Sequence, residues 1–299
     1  KGAFMILDAM IPDAGSAAAG LRHPEPGLPF FNLGPLEVRL ARSGAELAEA
    51  QALRYRIFYD EMGARPTAAM AKSGRDFDAH DSICDHLLVI DTGSSRPEIV
   101  GTYRLLRQSV AAASGGFYSA GEYDLSPLIR NSAGAGQLLE LGRSCVAPEH
   151  RNSATISLLW RGIASYLSAH GISQMFGCAS LHGTNPAHHA AELSYLHHHH
   201  LAPPELRARA LAYVPMNRLP AAGYDLRAAQ RALPPLLKGY LRLGAMIGDG
   251  AFVDEQFNTV DVFVVMPVER ITSRYLDRFA GGPPAGESAN DQDGPGLRD

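Results

Sequence analysis

The stretch QLLELGRSCV, residues 137–146, sets a carboxylate at Glu140 and a guanidinium at Arg143 into a run otherwise of buried-strand type. Side chains alternate faces along a strand, so residues 140 and 143 point to opposite sides of a regular sheet. Charged groups in such a run are costly unless each finds a partner. If both serve one site, the strand must bulge or splay, and Gly142 between them is the natural place. The expectation is a sheet with a broken central strand and a polar site at the break.

The segments around it read as α/β. LEVRLARS (36–43) alternates like a strand, and residues 44–63 carry Leu47, Ala50, Leu53 and Ile57 at helical spacing, with Gly63 as a stop. GRDFDAHDSICD (74–85) reads as a loop. HLLVIDT and EIVGTYRLL, joined by GSSRP, read as an antiparallel hairpin. FYSAGEYDLSPLI then connects to the strand at 137–146. The clearest helix is residues 152–171, capped by Asn152 or Ser153, burying Ile156, Leu159, Trp160, Ile163 and Leu167, and ended by Gly171. A buried strand at 172–181 follows, then a helix opened by Pro186. A helical stretch broken at Pro234 and Pro235 continues as LLKGYLRLGAMIG; NTVDVFVVMPVE is a strand and RITSRYLDRFA a short helix. Hairpin-linked strands come first and helix-linked ones later, which implies a mixed sheet.

The chain has 299 residues, 46% of them hydrophobic, enough for a large core. Residues 1–35, rich in Gly, Ala and Pro, read as a flexible arm, and 281–299 have a disorder composition. Residues 36–280 hold no linker that would divide them, so they read as a single domain. A net charge of -4 argues against nucleic acid. Three cysteines with no CxxC spacing read as reduced thiols in the cytoplasm. No 18-residue apolar run is present, so no membrane-spanning helix is expected, and the start lacks a cleavage signature.

Several patterns carry chemistry only weakly by themselves. EHRNSATIS opens the helix after the broken strand, where free N–H groups attract anions; Arg151 and nearby hydroxyls suit a phosphate, or this is an ordinary capped start. His188, His189 and His197 to His200 suggest metal by composition. They lack HExxH and fit a helix end equally well, so no metal is expected. Asp76, Asp78 and Asp81 form a solvated loop or a site; the Gly and Glu of a calcium loop do not follow in register.

The order of the motifs says more than any one of them. LRYRIFYDEMG, DFDAHD, HLLVI, VGTYRLL and LLELGRSCV form a series that resembles the acyl-homoserine-lactone synthases, a branch of the GNAT acyltransferase fold. In that pattern an Arg-x-x-x-Phe pair matches Arg54 and Phe58, a D-x-x-D pair matches Asp78 and Asp81, and a strand arginine matches Arg104. The strand Glu-x-x-Arg matches Glu140 and Arg143. The family's aromatic after the Gly of the first-helix motif is Ala64 here, and a Phe after the strand Arg is also missing. The fuller resemblance is to the ornithine-acyl carrier protein N-acyltransferases that make lyso-ornithine lipid. YDLSPL, LELGRSCV, LLWRGI, HHLAPPELR and PPLLKGYLRLGAMIGDGAFVDEQFNTVDVFV carry it across about residues 36–275.

What the resemblance implies is a GNAT-like fold: a mixed, mostly antiparallel twisted sheet flanked by helices, with an extra C-terminal helical segment at about 203–258. It implies transfer of a 3-hydroxyacyl chain from acyl carrier protein to the α-amine of L-ornithine, with no bound cofactor beyond the carrier's phosphopantetheine. Glu140 would act on the amine and Arg143 would brace it or neighbouring acids. Arg54, Phe58, Asp78, Asp81 and Arg104 would bind substrate or order one another. Ser144, Cys145, Val146 and Arg151 would hold the pantetheine, in a strand splayed so that pantetheine takes a neighbour's place. RNSAT is a degraded GNAT phosphate loop, which favours the single phosphate of a carrier over coenzyme A. An acidic carrier needs a local basic patch, for which Arg143, Arg151, Arg161 and Lys238 are candidates. Other readings are an N-acyltransferase for another amino acid, a lactone synthase, or a membrane-surface module using residues 234–248. The expected setting is cytoplasmic, with transient contact at the inner membrane.

Overall fold

The computed structural model describes residues 31–271. The expected arm at 1–30, the helix beyond residue 271 and the tail at 281–299 lie outside the described residues. The last residues assigned to the arm are part of the fold: β1 (Phe31–Leu33) pairs antiparallel with β2 (Leu36–Leu40) across a turn at Gly34. The side chain of Ser43 accepts a hydrogen bond from Glu46 N–H and starts α1 (Gly44–Tyr55). The helix does not stop there. It widens into a π-helical segment, Arg56–Glu61, before the chain turns at Gly63 with φ +74°. The short α2 (Ala68–Ser73) and a 3-10 turn, Ala79–Ser82, carry the chain to the hairpin β3 (Asp85–Asp91) and β4 (Glu98–Arg107). The connecting segment holds α3 (Gln108–Ala113), β5 (Tyr123–Asp124) and α4 (Ser126–Asn131).

Next come β6 (Gln137–Val146), α5 (Ser153–Ala169), β7 (Ile172–His182) and α6 (Ala190–His200). Asn152 caps α5 by accepting from Thr155 N–H at 3.1 Å. Its inner face buries Leu158, Leu159, Ile163, Tyr166 and Leu167. Ile156, expected in the core, is 47% exposed: it sits in the first turn of α5, where the side chain faces the open cavity described below. The segment at 203–258, expected to be helical, is only partly so. It contains β8 (Arg209–Ala210), α7 (Leu226–Ala232), α8 (Pro235–Arg242) and the long strand β9 (Met246–Asp254). Gly244, at φ +92°, ends the helix, and GAMIG enters the sheet against β10 (Thr259–Pro267).

The sheet order is β1-β2-β3-β4-β6-β7-β10-β9-β8-β5, mostly antiparallel, with parallel pairing of β6 to β7 and of β8 to β9. The expected mixed sheet flanked by helices is the observed one. Its central feature is an incomplete pairing: β6 runs beside β7 only from Gln137 to Glu140. Beyond that point β6 stays with β4, and β7 continues against β10. At the crotch a Cβ on Gly177 would meet the Leu141 carbonyl oxygen at 2.2 Å, so only glycine lets the strands come that close before they part.

Candidate active site

The two separating strands open a cavity of about 640 Å³, walled by Glu140 to Val146 of β6, the start of α5, the π-helical segment and α8. The break predicted for β6 is present, though not centred on Gly142. Thr102 pairs with Cys145 and Arg104 with Gly142, so Arg143 and Ser144 face Tyr103 alone, a bulge. The left-handed backbone belongs to Arg143, at φ 49°, which is uncommon outside glycine. The bulge brings Glu140 and Arg143 to one cavity despite their spacing.

Glu140 is 4% exposed. Its carboxylate accepts hydrogen bonds from the backbone N–H groups of Tyr118 at 2.8 Å and Ser119 at 2.7 Å, and from the Ser119 hydroxyl. Arg143 does not brace it. Arg143 reaches the other way, to Asp76 at 3.3 Å and Asp78 at 3.2 Å, and lies over the rings of Tyr118 and Phe257 at 4.7 and 4.5 Å. The physical reason is charge balance: Glu140 is already satisfied by N–H donors, whereas the acidic loop has an excess of carboxylates. Tyr118 joins the two, its N–H on Glu140 and its hydroxyl accepting from Arg143.

Behind this wall lies a buried ion network. Arg54 holds Asp81 with two nitrogens at 2.8 Å each, donates through Nε to Asp76 at 2.8 Å and reaches the Asp76 carbonyl. Arg104 pairs with Asp78 at 2.6 Å and with Asp81 at 3.5 Å. Burial alone would raise the Asp81 carboxyl, but the Arg54 guanidinium overrides it and holds that carboxyl well below the usual carboxylate range. Asp78 is lowered as well: burial opposes it, and Arg104 and Arg143 win. Arg104 reaches the cavity, whereas Arg54, Asp76, Asp78 and Asp81 are not among its lining residues. Asp76, not among the residues the resemblance implied, joins the network by serving both Arg54 and Arg143. Phe58 lines the cavity and meets Phe257 edge-on at 5.8 Å.

Ser144, Cys145, Val146 and Arg151 all line the cavity. Cys145 is a free thiol pushed up to about 12 by burial, which suits packing rather than nucleophilic chemistry. Arg151 stands at the mouth, paired with both oxygens of Glu61 at 2.7 and 2.6 Å and donating to the Val146 carbonyl. Of the other cations expected in a docking patch, Arg143 lies on the cavity wall with 12% of its side chain exposed, Arg161 lies over the Phe31 ring at 4.4 Å, and Lys238, half-buried, donates to the Arg231 carbonyl. The helix α8 turns Leu237 and Tyr240 inward to the cavity, where Tyr240 meets the Tyr103 hydroxyl at 3.0 Å and Trp160 edge-on. Among the described residues no helix is long and apolar enough to cross a membrane.

Three carboxylates on the cavity wall escaped the sequence reading: Glu122, Asp254 and Asp261. Asp261 carried a usable signal, an acid within the strand TVDVFVVMP, the same anomaly as Glu140 in β6. Glu122 and Asp254 carried none, since acids in connections and at strand ends are ordinary. The histidines do not converge in this way: His198 meets Asn217 and Tyr224, and His200 meets Tyr195.

Residues 53–161 match the family model described as an acetyltransferase (GNAT) domain. The chain is 52% identical over 252 residues to the L-ornithine N(alpha)-acyltransferase of Brucella abortus (strain 2308), covering 83% of this chain and 89% of that protein. It is 50% identical over 257 residues to the enzyme of the same name from Agrobacterium fabrum (strain C58 / ATCC 33970), covering 84% and 87%. Superposition on a solved N-acyl amino acid synthase from uncultured soil microbes gives a TM-score of 0.45 at 12% identity over 79% of this chain and 92% of that one, too distant to carry an argument. With a split sheet, a cavity at the split and identity of this depth along most of its length, the chain belongs to the L-ornithine N(alpha)-acyltransferase family and is a GNAT-type N-acyltransferase.

Proposed function

We propose that the protein transfers a 3-hydroxyacyl chain from acyl carrier protein to the α-amine of L-ornithine, yielding lyso-ornithine lipid and free holo carrier. The observation that supports this most is a buried carboxylate, Glu140, standing where β6 and β7 part, on the wall of a cavity large enough for an acyl chain. The relatives' name supplies the acceptor.

A thioester is already activated, so positioning and proton handling are enough. Pantetheine lies along the β6 edge that β7 leaves, beside Ser144, Cys145 and Val146. Glu140 takes a proton from the ornithine α-ammonium, directly or through water. The freed amine attacks the thioester carbon, the C–N bond forms and the C–S bond breaks; the sulfur leaves as thiolate and takes the remaining ammonium proton. Arg151 exchanges Glu61 for the single phosphate of the carrier's arm, and Lys238 adds positive charge nearby. The acyl chain lies against α8, Trp160 and Leu159. This inward face argues against α8 as a lipid-interface helix, since Leu237 and Tyr240 are buried in the protein. The exposed side chains of Ile156 and Leu236, at the mouth, are where the cytoplasmic enzyme would touch the inner-membrane surface as product leaves.

The test is reconstitution: purified protein, 3-hydroxyacyl carrier protein and ornithine, with mass spectrometry of the product. N-acyl-ornithine is expected, with acyl-coenzyme A of equal chain length a poorer donor. Comparable kcat/KM for both donors overturns the carrier reading, and acylation of another amino acid in preference overturns the acceptor. Glu140→Gln is expected to lower kcat by about two orders of magnitude; near-normal turnover in the folded variant removes Glu140 from this role.

A further inference from the structure

We propose that Glu122, Asp254 and Asp261 form the subsite that holds the distal ammonium of a diamino-acid acceptor. This inference rests on the ornithine reading above and deepens it. A ligand oxygen from each of the three lies within 4.8 Å of the others, and all three line the cavity that contains Glu140. A second observation points to a ligand: Asp261 is 5% exposed, and its Oδ1 has no hydrogen-bond partner. Buried acceptors of this kind are rare and costly unless something completes them.

A cationic donor suits this one, because it stands in a cluster of three carboxyl groups. The nearby guanidinium, Arg143, is already engaged by Asp76 and Asp78. Glu122 is pushed up to about 7 by burial and then by the Asp261 charge; Asp261 is pushed up to about 6 by burial, against the opposing hydroxyls of Ser180 and Thr259. A group with three N–H donors and one positive charge satisfies such a trio, and an aliphatic ammonium stays protonated at neutral pH.

The position also fits. Cys178 donates to Glu122 at 3.2 Å and lies 3.6 Å from the Ser119 hydroxyl, which in turn donates to Glu140. The carboxylate that meets the reacting amine and the trio are therefore a few side chains apart on one wall. A short methylene stem with an amine at each end spans that arrangement. Neither Asp78 nor Asp81, which lie behind the wall in ion pairs, is placed to do so.

The test compares L-ornithine with L-norleucine, which replaces the distal ammonium by a methyl, as acceptors for wild type, Asp261→Asn and Glu122→Gln. Wild type should strongly prefer ornithine. Each variant should raise KM for ornithine about ten- to a hundredfold and reduce the ornithine-to-norleucine preference in kcat/KM by the same factor. A readout free of turnover is thermal denaturation: ornithine should raise the midpoint of wild type but not of Asp261→Asn, whose own midpoint should not fall. An unchanged preference in the variants overturns the subsite while leaving ornithine acylation standing. No acylation of ornithine by wild type overturns the function reading itself. Loss of activity with EDTA, restored by a divalent cation alone, would show the trio to be a metal site and overturn the inference.

Discussion

Arg54 is among the largest fully buried side chains of the described residues, at 1% exposure, and its guanidinium is met by two carboxylates and a carbonyl. A buried guanidinium is tolerated only when its donors are taken, and Asp76 and Asp81 take them. Asp81 also accepts from Gln51 and from Asp78 N–H, closing the capping box of the 3-10 turn. The D-x-x-D pair therefore acts by ordering the arginines. Asp81→Asn should cost about 3–5 kcal/mol, the usual penalty for stranding one partner of a buried pair. Urea unfolding would read the loss. KM for ornithine, measured where the variant is still folded, should change little; a large rise in KM with intact stability would put Asp81 back at the acceptor.

At the scale of elements, function depends on where two strands stop pairing. The parallel contact of β6 with β7 ends at Glu140, and Gly177 permits the last close approach beside Leu141. Gly177→Ala would force backbone apart there, since the obstacle is a carbonyl oxygen and not a movable side chain. The expected cost is about 1–3 kcal/mol, typical of overpacking, together with a shift of Glu140 relative to β7. A variant with wild-type melting temperature and wild-type kcat would mean that the crotch can relax without moving the site. The bulge at Arg143 is held in a different way, by tertiary ion pairs to Asp76 and Asp78 that offset its left-handed backbone.

Across the whole molecule the charged groups fall into two sets with opposite pH dependence. Asp78 and Asp81 are lowered, so their stabilisation is present above the ordinary carboxylate range and is lost only as pH falls well below it. Glu122 and Asp261, surrounded by Asp254, Cys178 and Arg143, are raised from 4.5 to about 7 and from 3.8 to about 6. The folded state holds their protons more tightly than the unfolded chain, so that contribution is full in acid and is lost as pH rises through about 6 to 7. Without acceptor, the melting temperature should fall from about pH 5 to about pH 8, and the Glu122→Gln, Asp261→Asn double variant should flatten that slope. Parallel profiles for the two proteins would contradict this assignment.

Much of this was legible in the residues. Periodicity placed β2, the β3–β4 hairpin, α5, β7 and β10, and a Glu and an Arg in an apolar run required β6 to break. Local patterns work there because strands and amphipathic helices advertise a buried face within a few residues. They failed at GAMIG, where a short apolar run after a helix suits either state until β10 offers a partner. The order of the motifs carried the family. Only the tertiary structure decided which charge meets which: Arg143 turning to Asp76 and Asp78 and away from Glu140, and Glu122, Asp254 and Asp261 gathering from a connection and two strands. Electrostatic partners are chosen by distance and burial in space, and residues 122 and 261 become neighbours only after the sheet has formed.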